Sequence, residues 1–389
     1  MSNTNSARTE SPAERYIYPA ERSRHLATIL GFPSKCSIAS TYYSDACQEI
    51  INLAIAISSF EPVRLYTRPE DVPKAQSMID KYAVTLPHTS NVNVIPMRTN
   101  HLWVRDTGPV YVRSSSNNFS SQRYAINFRF SEWGKKDEIN EHDRATDGLE
   151  WPLMTPEQLE ENATFAQRIA AHDILPSPVM QIDSKIRLEG GALVFDGEGT
   201  LLATESSILN ENRNPDLSRA EVEAELSRLL GVEKIIWFPG RRNLDVTDVH
   251  ADAEVNFVRP SVVVLSRPHR SAPRPWMEIH EEILDILQRE VDAKGRRFEI
   301  HIIDEPDPNC LSRLLTCDEP ATNYVNFYFC NGGLILPQFG DPVRDKAALE
   351  TMQMLCQDRK VCPLQVQALP LAGGVIHCST QPVIDVADR

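Results

Sequence analysis

The chain has 389 residues, 41% hydrophobic and 24% charged, an ordinary globular composition that excludes a disordered or fibrous protein; at roughly 150 residues per domain, the length allows two to three domains or one large closed architecture. Forty Lys and Arg against 54 Asp and Glu leave a net charge of −14, a field that repels nucleic acid and attracts a small cation. No apolar run approaches the roughly 18 residues of a membrane span and the polar N-terminus lacks the apolar core of a signal peptide, so a cytoplasmic protein is expected.

Residues 1–16 read as a flexible tail and residues 17–389 as a single folded domain. HLATIL (25–30) has strand character, a helix is predicted over about 45–58, and VRLYTR (63–68) makes a further strand. The spacing then predicts strands at RDTGPVYV (105–112) and RYAINFRF (123–130), a helix near 156–172 and a strand at VMQID (179–183). The third group is the clearest: LEGGALVFD (188–196), TLLAT (200–204), a helix over about 218–230 and VEKIIWF (232–238), with Ser218 and Glu221 as a capping box and Gly231 as the stop. DVHADAEVNFV (248–258) leads to SVVVLS (261–266), a helix over about 275–293 opened by Pro275 and closed at Gly295, and RFEIHII (297–303). NYVNFYF (323–329), LILP (334–337), a helix through ALETMQML (348–355) and PLQVQAL (363–369) follow, and GGVIHC (373–378) is left as an unpaired strand.

Four groups share one order: leading strand, second strand, amphipathic helix, third strand. The N-terminal strand, helix and strand join the C-terminal strand into a fifth. This predicts an α/β architecture of five like modules closed into a ring, each burying its apolar face against a neighbour. Alternation of strands and helices alone also suits an open sheet. The polar stretch at 114–122 and the charged one at 135–161 read as surface insertions. Cysteines at 36, 47, 310, 317, 330, 356, 362 and 378 contain no C-x-x-C pair, which excludes a zinc ribbon or thioredoxin motif. Most read as small buried hydrophobes in a reducing compartment.

Unusual polar residues gather on the leading strands. His250 and Asp252 stand two apart, which on a strand directs both to one face. An imidazole beside a carboxylate suits proton transfer near neutral pH, and equally suits a solvated edge or half a metal site. Cys378 follows Gly373 and Gly374, which permit close approach, and is either a buried packing group or a nucleophile. On a strand its neighbour His377 faces the other way, so His250 is the expected partner of the thiol. Asp106, after Arg105 and before Thr107-Gly108-Pro109, reads as a structural ion pair or as a carboxylate held at the end of an element. Glu189 before Gly190-Gly191, and Asn326 within YVNFYF, are equally open. In a ring, one candidate per module converges on the axis.

Taken in order, W-x-R-D-x-G-P (103–109), L-E-G-G (188–191), T-E-S-S-I-L-N-E-N-R-N-P (204–215), H-x-D (250–252), Y-V-N-F-Y-F-C-N-G-G (324–333), P-Q-F-G-D (337–341) and G-G-V-I-H-C-S-T-Q (373–381) resemble the agmatine deiminase and bacterial-type peptidylarginine deiminase family. The resemblance covers most of the chain from about residue 17. It implies the pentein fold, a propeller of five pseudo-symmetric ββαβ modules around a central site. It implies Cys378 as nucleophile, His250 as general acid and base, and Asp106 and Asp252 as the carboxylates that grip a guanidinium. Trp103, Arg105, Glu189, Asn326 and Gly374 fall at its substrate-binding positions. A small cationic guanidino substrate, no metal, no organic cofactor and a homodimer complete the expectation.

The activity so implied is hydrolysis of agmatine to N-carbamoylputrescine and ammonia, a step of putrescine and polyamine metabolism, through a covalent amidino-cysteine. The physics is consistent: a guanidinium is a planar, permanently charged fork of N–H donors that two carboxylates can match. The same carboxylates should keep the thiol protonated until a cationic substrate arrives. Several positions depart from the family pattern. P-A-E-W-E-P-H reads Pro19-Ala20-Glu21-Arg22-Ser23-Arg24-His25, and Val249, Ala253, Val375 and Pro382 replace the usual Gly, Asn, Asn or Gly, and Gln. Rival readings are therefore a deiminase of free or peptidyl arginine, with Arg22, Arg24 or Arg129 on the carboxylate, and a guanidinium-binding protein without turnover. The ligand types His250, Asp252 and Cys378 also admit a zinc hydrolase.

Overall fold

Among the described residues, strand pairing gives five small sheets, and each repeats the same unit. The computed structural model describes residues 15–115, 122–134, 154–174, 176–310 and 320–385. In every module the first two strands pair antiparallel and the third lies parallel to the second, with a helix in the crossover. The first module uses Val110–Ser114, Arg123–Asn127 and Met180–Asp183, with helices Pro156–Ala163 and Phe165–His172 in the crossover. Tyr16–Ile17 adds a short antiparallel edge to it, so the chain is already structured where the expected tail ends. The second uses Val194–Phe195, Thr200–Thr204, the helix Arg219–Leu230 and Lys234–Phe238; the third, Val255–Arg259, Val262–Arg267, the helix Arg274–Arg289 and Glu299–Asp304. The fourth uses Tyr328–Cys330, Gly333–Gln338, the helix Pro342–Leu355 and Lys360–Gln365.

The fifth module closes the ring. Thr380–Ile384 pairs antiparallel with His25–Gly31, which runs parallel to Val63–Thr67 across the helix Ser40–Ser58. A second crossover through the helix Val72–Ala83 adds Val92–Pro96 as a fourth strand, an addition the periodicity had not revealed. Apolar cores sit at the junctions between modules. Ile29 and Tyr66 of the fifth meet Tyr111 and Phe165 of the first, and Leu202 and Phe238 of the second meet Val263 and Ile279 of the third. This is the α/β propeller expected from the sequence, and the open-sheet alternative falls.

Local signals explain where elements start and stop. Ser218 and Glu221 bond each other's backbone in a capping box, and Gly231 leaves the helix in the left-handed conformation at φ 70°. The next helix stops at Arg289, short of Gly295, because Asp292 Oδ1 takes the N–H groups of Lys294 and Arg296 and winds the chain into a turn. Of the two expected insertions, residues 116–121 and 135–153 lie outside the described residues, whereas 156–163 forms a capped helix. Cys47, Cys330 and Cys356 are buried and Cys36, Cys310, Cys362 and Cys378 partly so; Cys317 lies outside the described residues. Among the described residues no helix is long and apolar enough to cross a membrane.

Adjacent modules touch backbone to backbone at Gly190, where an added Cβ would stand 2.2 Å from the carbonyl oxygen of Arg105. Neither chain can yield there without shifting a whole turn. Gly190→Ala is expected to lower stability by at least about 2 kcal/mol in urea denaturation; an unchanged midpoint would show that the modules are not in contact there.

Candidate active site

Each candidate precedes the first strand of its module, on or beside a turn rather than on the strand itself. Asp106 lies in the helical turn Val104–Thr107, Glu189 precedes the turn Gly190–Ala192, and Asp252 lies in the turn Ala251–Glu254 with His250 at its N-cap. Asn326 sits just after the turn at Tyr324 and Val325 and before Tyr328–Cys330, and Cys378 in successive turns before Thr380–Ile384. The strand placement expected for His250, Asp252 and Cys378 is thus corrected. The backbone at the axis is satisfied within these turns, by Gly108 N to Val104 O, Ala192 N to Glu189 O, Ala253 N to His250 O and Ser379 N to Ile376 O, and between modules, by Arg105 N to Cys378 O and His377 N to Asn326 O.

The turns bring the candidates together. Cys378 Sγ is 3.7 Å from Asp252 Oδ2 and accepts from Asn326 Nδ2 at 3.3 Å, while its backbone N–H donates to Asn326 Oδ1 at 3.3 Å. Gly191 packs where an added Cβ would meet His250 Nδ1 at 2.6 Å, Asp106 Oδ1 at 3.0 Å and Asp252 Oδ2 at 3.1 Å. Only glycine lets these three side chains close around one backbone carbon. Its N–H donates to Asp106 Oδ1 at 3.0 Å, and Trp133 Nε1 donates to Asp106 Oδ2 at 2.8 Å. His250 turns Nε2 to Glu189 at 3.1 Å and Nδ1 toward Asp106 at 3.8 Å, so neither nitrogen bonds the thiol. Glu189 is held by Arg213 Nε at 3.0 and 3.1 Å, and Arg213 Nη1 reaches Asp248 at 2.6 Å. Asp252 Oδ1 is buried with no hydrogen-bond partner.

The remaining candidates support this centre. Gly374 lies against Trp103, whose ring an added Cβ would approach to 2.6 Å. Arg105, expected to bind substrate, points away: its Nη1 lies 2.5 Å from Glu21 Oε1 and its Nε donates to the His377 carbonyl at 3.3 Å. A buried cation already paired there cannot grip a cationic substrate. His377, expected to face away from Cys378, instead shares Asp252 with it, through Nδ1 at 2.6 Å from Oδ2, and its Nε2 lies 3.0 Å from Glu21. Arg22 and Arg24 turn to Asp358 and Asp385, at 2.7 and 3.6 Å, and Arg129 donates to the Lys185 carbonyl at 2.5 Å. Among the described residues no group of three or more His, Cys, Asp or Glu has metal-holding geometry.

Sequence reasoning missed Trp133, Glu21 and Arg213 as individuals. Trp133 follows a predicted strand in F-S-E-W-G and occupies a run of left-handed residues, Glu132, Trp133 and Gly134 at φ 54°, 52° and 76°. His101 and Asn162 secure that run by bonding the two oxygens of Glu132 at 2.7 and 2.8 Å. Glu21 and Arg213 lay inside quoted motifs, but only the fold gives them partners. Val249, where the resemblance leads one to expect glycine, keeps the left-handed conformation at φ 68°. For a β-branched residue that costs roughly 1–2 kcal/mol. It is held there by Thr204 Oγ1 on its carbonyl at 2.6 Å and by Asp245 on its N–H at 2.9 Å, with its side chain fully buried.

Burial, followed by the charges of Asp252 and Asp106, pushes the Cys378 thiol well above its ordinary value. Burial pulls the His250 imidazolium down, but Asp106, Glu189 and Asp252 more than reverse this and raise it to about 9. Burial raises Asp106, with Glu189 and Asp252 adding to the effect. Glu189 is opposed by burial yet falls below the usual carboxylate range because of Arg213 and His250. At neutral pH the resting site therefore pairs a neutral thiol with a cationic imidazole.

Comparison with known proteins finds relatives across nearly the whole chain. The family model of the Porphyromonas-type peptidyl-arginine deiminases matches residues 17–383. A Listeria monocytogenes protein is 31% identical over 389 residues, covering 96% of this chain and 98% of its own. The agmatine deiminase of Pseudomonas savastanoi pv. phaseolicola is 32% identical over 350 residues, 85% of each chain. The solved agmatine deiminase of Enterococcus faecalis superposes with a TM-score of 0.80 at 25% identity, covering 95% of this chain and 96% of its own.

Two measurements test the site's physics. Alkylation of Cys378 by iodoacetamide in the substrate-free protein should be slow at pH 7 and accelerate only as pH rises beyond the ordinary thiol range, because the thiolate appears only there; a fast pH-independent rate from pH 6 upward would contradict a protonated resting sulfur. Val249→Gly should cost at least about 1 kcal/mol less in urea denaturation than Val264→Gly, an equally buried strand valine, since it also releases the strain at φ 68°. Equal costs would mean that the left-handed valine is not strained.

Proposed function

The chain belongs to the Porphyromonas-type peptidyl-arginine deiminase family, and from that premise we propose that it hydrolyses a C–N bond of agmatine, giving N-carbamoylputrescine and ammonia. The observation that carries the reading is Asp252: one oxygen lies 3.7 Å from the Cys378 sulfur, and the other is buried with no partner. A flat cation with N–H groups on its edges supplies what that oxygen lacks.

In this reading Asp252 and Asp106 hold the guanidinium edge to edge with its carbon over the sulfur. The positive charge of the substrate offsets the two carboxylates, the Cys378 proton leaves to solvent, and the thiolate attacks the guanidino carbon. A C–S bond forms and the delocalised system collapses to a tetrahedral centre. His250, an imidazolium in the resting site, gives its proton to the departing nitrogen; the C–N bond breaks and ammonia leaves. Water then attacks the amidino-thioether with neutral His250 taking its proton. The C–S bond breaks, the electron pair returns to sulfur, the hydroxyl proton passes to that sulfur and restores the thiol, and the product carries a urea group. Asn326, donating to Sγ at 3.3 Å, stabilises the sulfur anion in both steps. No role in this sequence calls for a metal or an organic cofactor.

Agmatine is favoured over free arginine by the positions of Arg22, Arg24 and Arg129. All three are engaged away from the site, which leaves none of them for a substrate carboxylate. Ammonia and ureido product should form from agmatine and not from free arginine or an arginine peptide, and Cys378→Ser should abolish both products; turnover of arginine or the peptide alone would replace this substrate assignment. The acid role of His250 gives the reaction a basic limb. Its protonated form is lost as pH rises through about 9, so kcat/KM for agmatine should fall above that pH, and a profile still rising at pH 10 would remove His250 as the proton donor.

A further inference from the structure

Two histidine–carboxylate couples meet at the axis, and the reaction above uses only the one built on His250. The other runs from Asp252 Oδ2 to His377 Nδ1 at 2.6 Å, from His377 Nε2 to both oxygens of Glu21 at 3.0 Å, and from Glu21 Oε1 to Arg105 Nη1 at 2.5 Å. The His377 side chain is 3% exposed and that of Asp252 is fully buried. Both imidazole nitrogens are occupied by carboxylates, so His377 has no free nitrogen for the thiol or the leaving group. Its ring is nonetheless fixed at both ends, and Arg105 Nε also donates to the His377 backbone carbonyl.

A carboxylate beside a thiol can turn about its Cβ–Cγ bond and exchange its two oxygens. Here one oxygen is engaged by an imidazole N–H and the other has no protein partner. We propose that His377 is a positioning residue for the reaction: it captures Asp252 Oδ2 and so presents Oδ1 to the substrate guanidinium, while Glu21 and Arg105 fix the ring in that pose. The inference rests on the site being a deiminase centre. It gives Arg105 a role without substrate contact, and it gives Glu21, from the N-terminal segment, a link to the carboxylate of the third module through the fifth. Burial and the nearby Arg105 oppose a charge on His377, but Glu21 and Asp252 raise its affinity for a proton, in keeping with an imidazole that donates at both nitrogens.

The alternative is that His377 merely anchors Glu21, and stereochemistry separates the two roles. Asparagine places an amide nitrogen near the position of Nδ1, and glutamine places one near Nε2. His377→Asn should therefore keep the bond to Asp252 and retain kcat within about tenfold, whereas His377→Gln should keep the bond to Glu21 and lose about 100-fold, the scale of a misplaced reacting group, with a smaller change in KM. Equal losses in the two variants, or a better-preserved glutamine variant, would overturn the proposal. A second readout needs no turnover: the rate of Cys378 alkylation by chloroacetamidine, a cation shaped like the substrate head, divided by the rate with neutral chloroacetamide. That ratio should fall about tenfold or more in His377→Gln and stay near wild type in His377→Asn, and an unchanged ratio in His377→Gln would overturn the proposal. Because the ratio is measured on folded protein with or without agmatine turnover, failure of the substrate assignment and failure of this inference give different results.

Discussion

Three carboxylates, Asp106, Glu189 and Asp252, are buried around one point, and the surrounding structure exists to make that arrangement tolerable. Isolated buried charges of one sign are among the costliest features a fold can carry. Each is met by a separate device: Glu189 by the guanidinium of Arg213, Asp106 by the Gly191 N–H and the Trp133 indole, and Asp252 by His377. His250 lies between Glu189 and Asp106 and is raised by all three. The compensation stops one atom short. Asp252 Oδ1 is left unsatisfied, and that single deficit is what a guanidinium would complete.

The same arrangement controls the sulfur. A thiol in a buried, negatively charged place stays protonated, and a protonated thiol is a poor target for oxidants and stray electrophiles. In the proposed reaction, a cation entering beside Asp252 and Asp106 offsets that field and lets the sulfur ionise. Selectivity for charge and activation of the nucleophile thus become one event, which is economical in a chain whose other described cysteines are also buried or partly buried.

How much of this could be read from the sequence depended on whether the signal was periodic or positional. The helix Arg219–Leu230 was legible to within a residue because Ser218, Glu221 and Gly231 mark its ends chemically. The ring was legible because the same element order recurs and the orphan strands at 25–30 and 373–378 complement each other, although the second of them proved to be turns leading into Thr380–Ile384. Turns of four residues, such as Ala251–Glu254, leave no periodic trace, so His250 and Asp252 were assigned to a strand they do not occupy. Motif order named side chains that the fold brings together; it could not say which way Arg105 points or that His377 and Cys378 share an oxygen. Those facts are set by partners far apart in the chain, Glu21 and Asp252 among them. Trp133 was hidden for a different reason, since its indole reaches Asp106 only because Glu132 and Trp133 adopt backbone angles that side chains of their type seldom take.

The pairing of Thr380–Ile384 with His25–Gly31 carries a kinetic corollary. It joins segments about 350 residues apart, and the chain-entropy cost of bringing such distant ends together is roughly 5 kcal/mol. Contacts of such long range form late, after the locally connected modules have condensed. Cys378 stands just ahead of that final strand, with its backbone carbonyl tied to Arg105 N of the first module. The Cys378 sulfur therefore meets the carboxylate of Asp252 only when the circle is complete. Chemical competence at this centre reports that the whole propeller has assembled.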